Sequence, residues 1–340
     1  MPKNICCGIC KLEGHTSRNR MFHPILVAAT AVATTPATPA PALLTHDAIL
    51  SFNSSAGKGR GANDKNNKIR ETILAHILTP ACDKFMTPTA PHSKEWVHIR
   101  NEWQSSLIDL GDRCNIKSYT SINVGHKGGR ACRCDYEIMY NTLSPAVLNV
   151  EFKFNEMPQF LNLPANKPLH TTSYAEHYYK HYLDKVLDVL EIPLNEKPAY
   201  NLWVQYLYNS NYSKHPFYMR MKNAEESFKQ KKAPQTELVA QSIHTYLEQI
   251  KDTVDCEYLT REFQSQANKH FLIYNYNSKK FHHDMYTNDE LIAKKVSHIS
   301  NKNTLVIESG KPGSYHHLLL RWKNHQGILF PAWQIKLVRQ

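Results

Sequence analysis

The chain has 340 residues, 41% hydrophobic and 21% charged, with 41 Lys and Arg against 30 Asp and Glu and a formal net charge of +11 at pH 7. That balance belongs to an ordinary folded protein and excludes wholesale disorder, collagen-like repeats and coiled coils. A sequence pI near 9.1 favours a polyanionic partner, nucleic acid or an anionic membrane surface.

The excess charge lies at the ends. Residues 1–70 hold nine Lys and Arg against three acids, and residues 251–340 hold thirteen against eight. The two stretches between them are neutral. Basic flanks around an acid-bearing centre suit a protein that holds phosphates while a metal works between them; basic tails for solubility are the plainer alternative.

In chain order, residues 1–23 form a Cys/His/Arg-rich unit, and residues 24–45 an Ala/Thr/Pro linker. The main core is expected over 46–260, with 261–340 as a β-rich C-terminal extension of the same domain. The most apolar stretch, 24–44, is too interrupted by Thr and Pro to cross a bilayer. With eight cysteines, three of them in Cys6–Cys10, the chain reads as metal or reducing-compartment chemistry in an intracellular protein of cytoplasm or nucleus.

Apolar spacing predicts helices over 67–78 and 93–110, the second with Trp96, Ile99, Trp103 and Leu107 on one face. Strands are expected at 115–124, 131–140 and 147–154, the last two joined at Ser144-Pro145. A tyrosine-rich helix over 173–190 follows, then an aromatic strand at 200–208 and helix within 224–252. Further strands are expected at 270–276, 304–308, 316–323 and 328–338. Tyr174, Tyr178 and Tyr182 recur every fourth residue, a core stripe by default and a base-stacking row in the sharper reading.

The chemistry concentrates in the central hairpin. Its first strand supplies Asp135 and its second supplies Glu151 and Lys153. Two-residue periodicity sets Glu151 and Lys153 on one face and Val150, Phe152 and Phe154 on the other. The hairpin register can bring Asp135 beside Glu151. Two carboxylates there repel unless an oxygen-seeking cation such as Mg²⁺ lies between them, with Mn²⁺ able to substitute. Lys153 would then orient an attacking water and stabilise charge on phosphorus. An ordinary surface hairpin with a cross-strand ion pair is the alternative.

Asp135 followed by Glu151-x-Lys153 on adjacent strands resembles the active site of the PD-(D/E)xK nuclease superfamily, which includes type II restriction endonucleases. Cys134 stands where the family's proline is usual. The resemblance, over about 67–210, implies an α/β (α+β) fold: a restriction-endonuclease-like core with a central mixed β-sheet flanked by helices. It implies Asp135 and Glu151 as Mg²⁺ ligands and Lys153 serving the nucleophilic water. An extra glutamate from an upstream helix, Glu71 or Glu102, is a further candidate. The implied function is a Mg²⁺-dependent, restriction-type endodeoxyribonuclease leaving 5′-phosphate ends on double-stranded DNA, and a homodimer suits cutting both strands. The competing function is a non-enzymatic nucleic-acid-binding protein with an inactive nuclease-like core.

Four other motifs bear on nucleic acid. Cys7-x2-Cys10-x4-His15 resembles a zinc knuckle, but Arg20 stands at the fourth ligand position, so structural Zn²⁺ needs Cys6 or His23 instead. Lys58 and Arg60 lie in a glycine-punctuated loop without phosphate-loop spacing. Lys127 and Arg130 flank Gly128-Gly129 just before the acidic strand, placed for a phosphate contact or a plain turn. Arg321, Lys323 and Lys336 mark C-terminal strands that either grip DNA or extend a sheet.

Overall fold

The computed structural model describes residues 44–54, 60–127, 134–155, 159–169, 171–208, 215–228, 235–324 and 326–340. Leu44–Gln340 form one unit. Its described residues build a mixed α and β architecture with two five-stranded sheets. Cys7, Cys10, His15, Lys58 and Arg130 lie outside the described residues.

Two helices open the unit after the short turn α1 (Leu50–Asn53): α2 (Arg60–His76) and α3 (Ser93–Arg113). On α3, Trp96, Ile99, Trp103, Leu107 and Leu110 are all buried, the stripe that helical spacing predicts. A meander follows: β1 (Ile122–His126), β2 (Tyr136–Tyr140) and β3 (Ala146–Phe154), antiparallel throughout. β1 and β2 begin later than the expected 115 and 131. On β2 and β3 the alternation is clean, with Tyr136, Ile138, Tyr140, Val150 and Phe152 turned into the core against α2 and α3. Tyr140 donates to the Leu107 carbonyl at 2.6 Å, and Tyr136 to that of Glu71 at 2.8 Å. At Gly111 a Cβ would come within 2.8 Å of the Tyr140 ring, so this helix–sheet approach needs glycine.

β3 gains its other neighbour from far along the chain. β5 (Lys269–Asn275) pairs with it in parallel, Glu151 opposite Phe271, and β6 (Lys280–Met285) closes the edge. The sheet order is therefore β1-β2-β3-β5-β6. All but the last residue of β5 are buried, as befits a strand covered on both faces. Leu272 and Tyr274 join the α2/α3 core, whereas Phe271 and Ile273 join a second core.

The second core is capped by the other sheet. β4 (Gln159–Pro164), β10 (Leu329–Arg339), β9 (Ser314–Asn324), β8 (Thr304–Ser309) and β7 (Ala293–Ser300) lie side by side in that order. Against it pack α4 (Tyr174–His181), α5 (Leu183–Val189), α6 (Tyr200–Tyr208), α7 (Pro216–Phe228), α8 (Gln235–Ile250) and α9 (Cys256–Gln264).

Two expectations are corrected here. Residues 200–208 form helix α6, not a strand: Trp203 and Leu207 are buried one turn apart, and Trp203 stacks on Tyr178 at 6.0 Å and 14°. A nine-residue apolar run fits either period, and here packing on α4 selects the helix. The expected 173–190 helix is interrupted at Tyr182, where φ is −129° and ψ −31°. Its tyrosines are core residues. Tyr174 is hydrogen-bonded to Ser242 at 2.9 Å and accepts from Trp322 at 3.0 Å, and Tyr178 donates to the Gly327 carbonyl.

Candidate active site

The site forms where β2 and β3 meet the start of β5. Tyr136 pairs with Val150, so the register continued by one residue sets Asp135 opposite Glu151. Asp135 is locked there by its own main chain: its N–H donates to Val150 at 3.1 Å and its carbonyl accepts from Lys127 at 2.7 Å. Its side chain accepts from the Phe152 N–H at 2.9 Å through Oδ2. Because Val150 and Phe152 fill the core on one face of β3, Glu151 and Lys153 are forced onto the other.

Glu151 is the hinge of the constellation. Oε1 lies 2.5 Å from Lys153 Nζ and Oε2 lies 2.7 Å from Lys269 Nζ. Lys269 is 8% exposed and comes from β5, 118 residues away from Glu151 in sequence. Burial would push the Glu151 carboxyl up, but Lys153 and Lys269 outweigh it and hold it below the usual range. Asp135 shifts the other way, raised by burial and then by the Glu151 charge, with the lysines and the Phe152 N–H opposing.

Glu71 of α2 completes the group. Burial, then Asp135, pushes its carboxyl up to about 7, with Glu151 adding and Lys153 opposing. His126 Nε2, at the end of β1, stands 4.0 Å from Glu71 Oε2, and its ring lies against Tyr136. Of the two upstream glutamates, Glu71 therefore belongs with the acids. Glu102 lies instead toward Tyr274, whose phenol burial and the Glu102 charge push up to about 12.

Lys127 and Arg60, drawn from the sequence, lie apart from this group, and nearby cysteine and histidine side chains have partners of their own. Lys127 forms an ion pair with Glu137 at 2.8 Å, both side chains 42% exposed. Arg60 opens α2. Cys134 Sγ lies 3.6 Å from Asn149 Oδ1. His283 meets His270 at 3.0 Å, and His316 is buried in the second core against Phe263.

Among the described residues no three His, Cys, Asp or Glu side chains are arranged as a ready-made metal site. The donor chemistry of Asp135, Glu151 and Glu71 is oxygen only, the choice of a hard cation. Asp135 and Glu71 are raised partly by neighbouring carboxylates, a local excess of negative charge that a divalent cation relieves. That donor chemistry is the kind Mg²⁺ or Mn²⁺ takes, but both Glu151 oxygens are already engaged by Lys153 and Lys269. Sequence reading missed Lys269 and His126, since neither lies in a motif with the hairpin; only strand pairing brings them in.

No protein-family model matches the chain, and neither does any curated protein or solved structure.

Proposed function

We propose that the protein is a Mg²⁺-dependent endodeoxyribonuclease that hydrolyses DNA phosphodiester bonds to leave 5′-phosphate ends. The observation that carries this reading is the convergence of Asp135, Glu151, Lys153 and Glu71 on one end of the first sheet. A structural hairpin has no need of three neighbouring carboxylates and two lysines, one buried and one half-buried. The order of helix α3, meander β1–β3 and parallel strand β5 also suits a PD-(D/E)xK core, with residues 159–264 inserted before its last strand.

Asp135 and Glu151 would hold the cation, with Glu71 beside them. When bound, it supplies charge neutralisation at the scissile phosphate. Lys153, fixed by Glu151, orients the attacking water and donates to a non-bridging phosphate oxygen as charge develops there. Lys269 anchors the second oxygen of Glu151 and so fixes the carboxylate's plane. Water attacks phosphorus, the P–O3′ bond breaks, and the products are a 5′-phosphate and a 3′-hydroxyl.

The test is direct. Supercoiled plasmid incubated with the protein and Mg²⁺ should be cut, and EDTA should abolish cutting. Asp135→Asn and Lys153→Ala should both lose cleavage while retaining DNA binding. Normal turnover by either variant would remove the site assignment, and binding without cutting by the wild type would leave a nucleic-acid-binding module.

A further inference from the structure

A cavity of about 570 Å³ opens at one end of the second sheet, a size that suits a small-molecule ligand. Its walls are the first half of α8, the turn at 301–303 between β7 and β8, and the later part of β9 with the turn beyond it. Val239, Ile243 and Leu320, buried members of the second core, give it an aliphatic floor. Glu237 and Gln241, one helical turn apart on α8, and Asn301 and Lys302 of the turn make it polar elsewhere. None of the candidate active-site residues lines it.

The helix wall and the turn wall carry opposite charges that do not cancel. Glu237 and Lys302 are both exposed, and among the described residues neither side chain enters an ion pair or a hydrogen bond. Arg321, also at the cavity, already has a partner, which leaves Lys302 for a ligand. Asn301 and Lys302 have φ of 51° and 60°, and the Asn303 N–H donates to the Ser300 carbonyl at 3.3 Å. A hairpin turn with two consecutive left-handed residues usually takes Asn-Gly, because glycine has no Cβ to strain there. Turn geometry therefore selects Asn301 but not Lys302. The lysine brings its ammonium to the cavity against the local backbone preference.

We infer that this cavity binds a nucleotide unit with an amino-bearing base, its phosphate on Lys302 and its amino edge on Glu237 and Gln241. The flat, apolar face of a base suits the floor of Val239, Ile243 and Leu320. A carboxylate accepts from an exocyclic amine and repels a base carbonyl, and a glutamine amide both donates and accepts along the same edge. Lysine holds a phosphate as a point charge and needs no bidentate geometry. A free amino acid also carries both charges, but it leaves most of a cavity this size to water. The unit can come as a free nucleotide or as a base turned out of a DNA strand. This site goes beyond the proposed hydrolysis and uses none of the residues assigned to it.

The test is isothermal titration calorimetry of the full-length chain in EDTA with dCMP, dAMP, dUMP and the matching nucleosides. At least one of dCMP and dAMP should bind about tenfold more tightly than dUMP, which offers a carbonyl where cytosine has its amine. Removing the phosphate from the preferred nucleotide should weaken it about tenfold. Glu237→Gln should bring the preferred nucleotide and dUMP within a factor of two. Lys302→Gly should lose the tenfold that the phosphate gives. Glycine relaxes the turn, so the melting temperature of that variant should hold or rise, and its lost affinity is not lost folding. Circular dichroism melting checks Glu237→Gln in the same way. A single-stranded oligonucleotide of the preferred base, bound more tightly than the free nucleotide and weakened by Glu237→Gln, assigns the site to a DNA strand. The reverse order assigns it to the free nucleotide. Equal affinity for dUMP, affinity unchanged in both variants, or no binding of dCMP and dAMP overturns the site. A nucleotide bound here by a protein that never cuts plasmid in Mg²⁺ bears on the hydrolytic reading alone.

Discussion

Both sheets are five strands wide and both bury one face against helices, yet they dispose of charge in opposite ways. The strands of the first carry three lysines and three acids, and Glu151, Lys153 and Lys269 among these are drawn into one small ion-paired volume. The strands of the second carry six lysines and arginines and one acid, and these are not gathered at one point: Arg339 pairs with Asp284 and Glu290, and Lys295 with Glu308. Coulomb energies explain the division. Concentrated, half-buried charge strengthens interactions at a reacting centre, whereas dispersed exposed charge gives long-range attraction that salt screens. The sheets are tied by Arg339, which reaches from β10 to Asp284 on β6 and to the fully buried Glu290.

The comparison breaks most sharply at the first sheet's ion-paired site. Lys153→Ala should reduce cleavage about 10³-fold, about 4 kcal/mol of transition-state stabilisation, while duplex affinity stays within a factor of two. Single-turnover cleavage and EDTA binding measured on one preparation separate the two quantities.

Next comes the tie between the sheets. Arg339→Ala strands the Glu290 carboxylate in the protein interior with Lys311 and the Thr287 N–H as remaining partners. The expected cost is about 3 kcal/mol in urea unfolding at pH 7. Burial alone would raise Glu290, but Arg339, the Thr287 N–H and Lys311 hold it at about 2, against 4.5 for the free side chain. A depressed carboxyl stabilises fully above about pH 4.5 and loses that contribution as pH falls toward 2. The gap between wild type and variant should therefore narrow over that window, and a constant gap would contradict the ion pair.

A smaller effect of opposite sign is expected at Glu71. Its carboxyl is raised to about 7, so without divalent cation the folded state holds a proton that the unfolded chain releases near 4.5. Stability falls as pH rises between those values, and the penalty persists above 7. In EDTA, Glu71→Gln should stabilise the protein by about 1–2 kcal/mol at pH 8 and by almost nothing at pH 4. Mg²⁺ at ten times its dissociation constant should stabilise the wild type by about 1.4 kcal/mol and leave Asp135→Asn unmoved.

The smallest effect sharpens the contrast from the second sheet. Lys295→Ala removes an ion pair to Glu308 whose lysine is 71% exposed. Stability should change by under about 0.5 kcal/mol.

Some of this was written locally in the chain. The stripe Trp96, Ile99, Trp103 and Leu107 specifies a helix and the face it buries, and the alternation from Val150 to Phe154 specifies which way Glu151 and Lys153 point. Both are properties of one segment's own period, so neighbouring residues suffice to read them. The fourfold tyrosine spacing likewise marked a buried face, though not the break at Tyr182.

What the tertiary structure alone decided involves partners distant in sequence. Residues 200–208 became α6 because Trp203 found a stacking surface on Tyr178, a contact absent from the segment itself. Glu71 and Glu102 both lie on helices upstream of the hairpin, and only the packing of α2 and α3 on the sheet sent one to Asp135 and the other toward Tyr274. Lys269 reached Glu151 because β5 pairs in parallel with β3 across more than a hundred intervening residues. Strand pairing satisfies backbone hydrogen bonds that any residue can make, so it leaves no residue-type signature near Lys269. Periodicity reports which face a side chain takes, and only the assembled sheet determines what stands across from it.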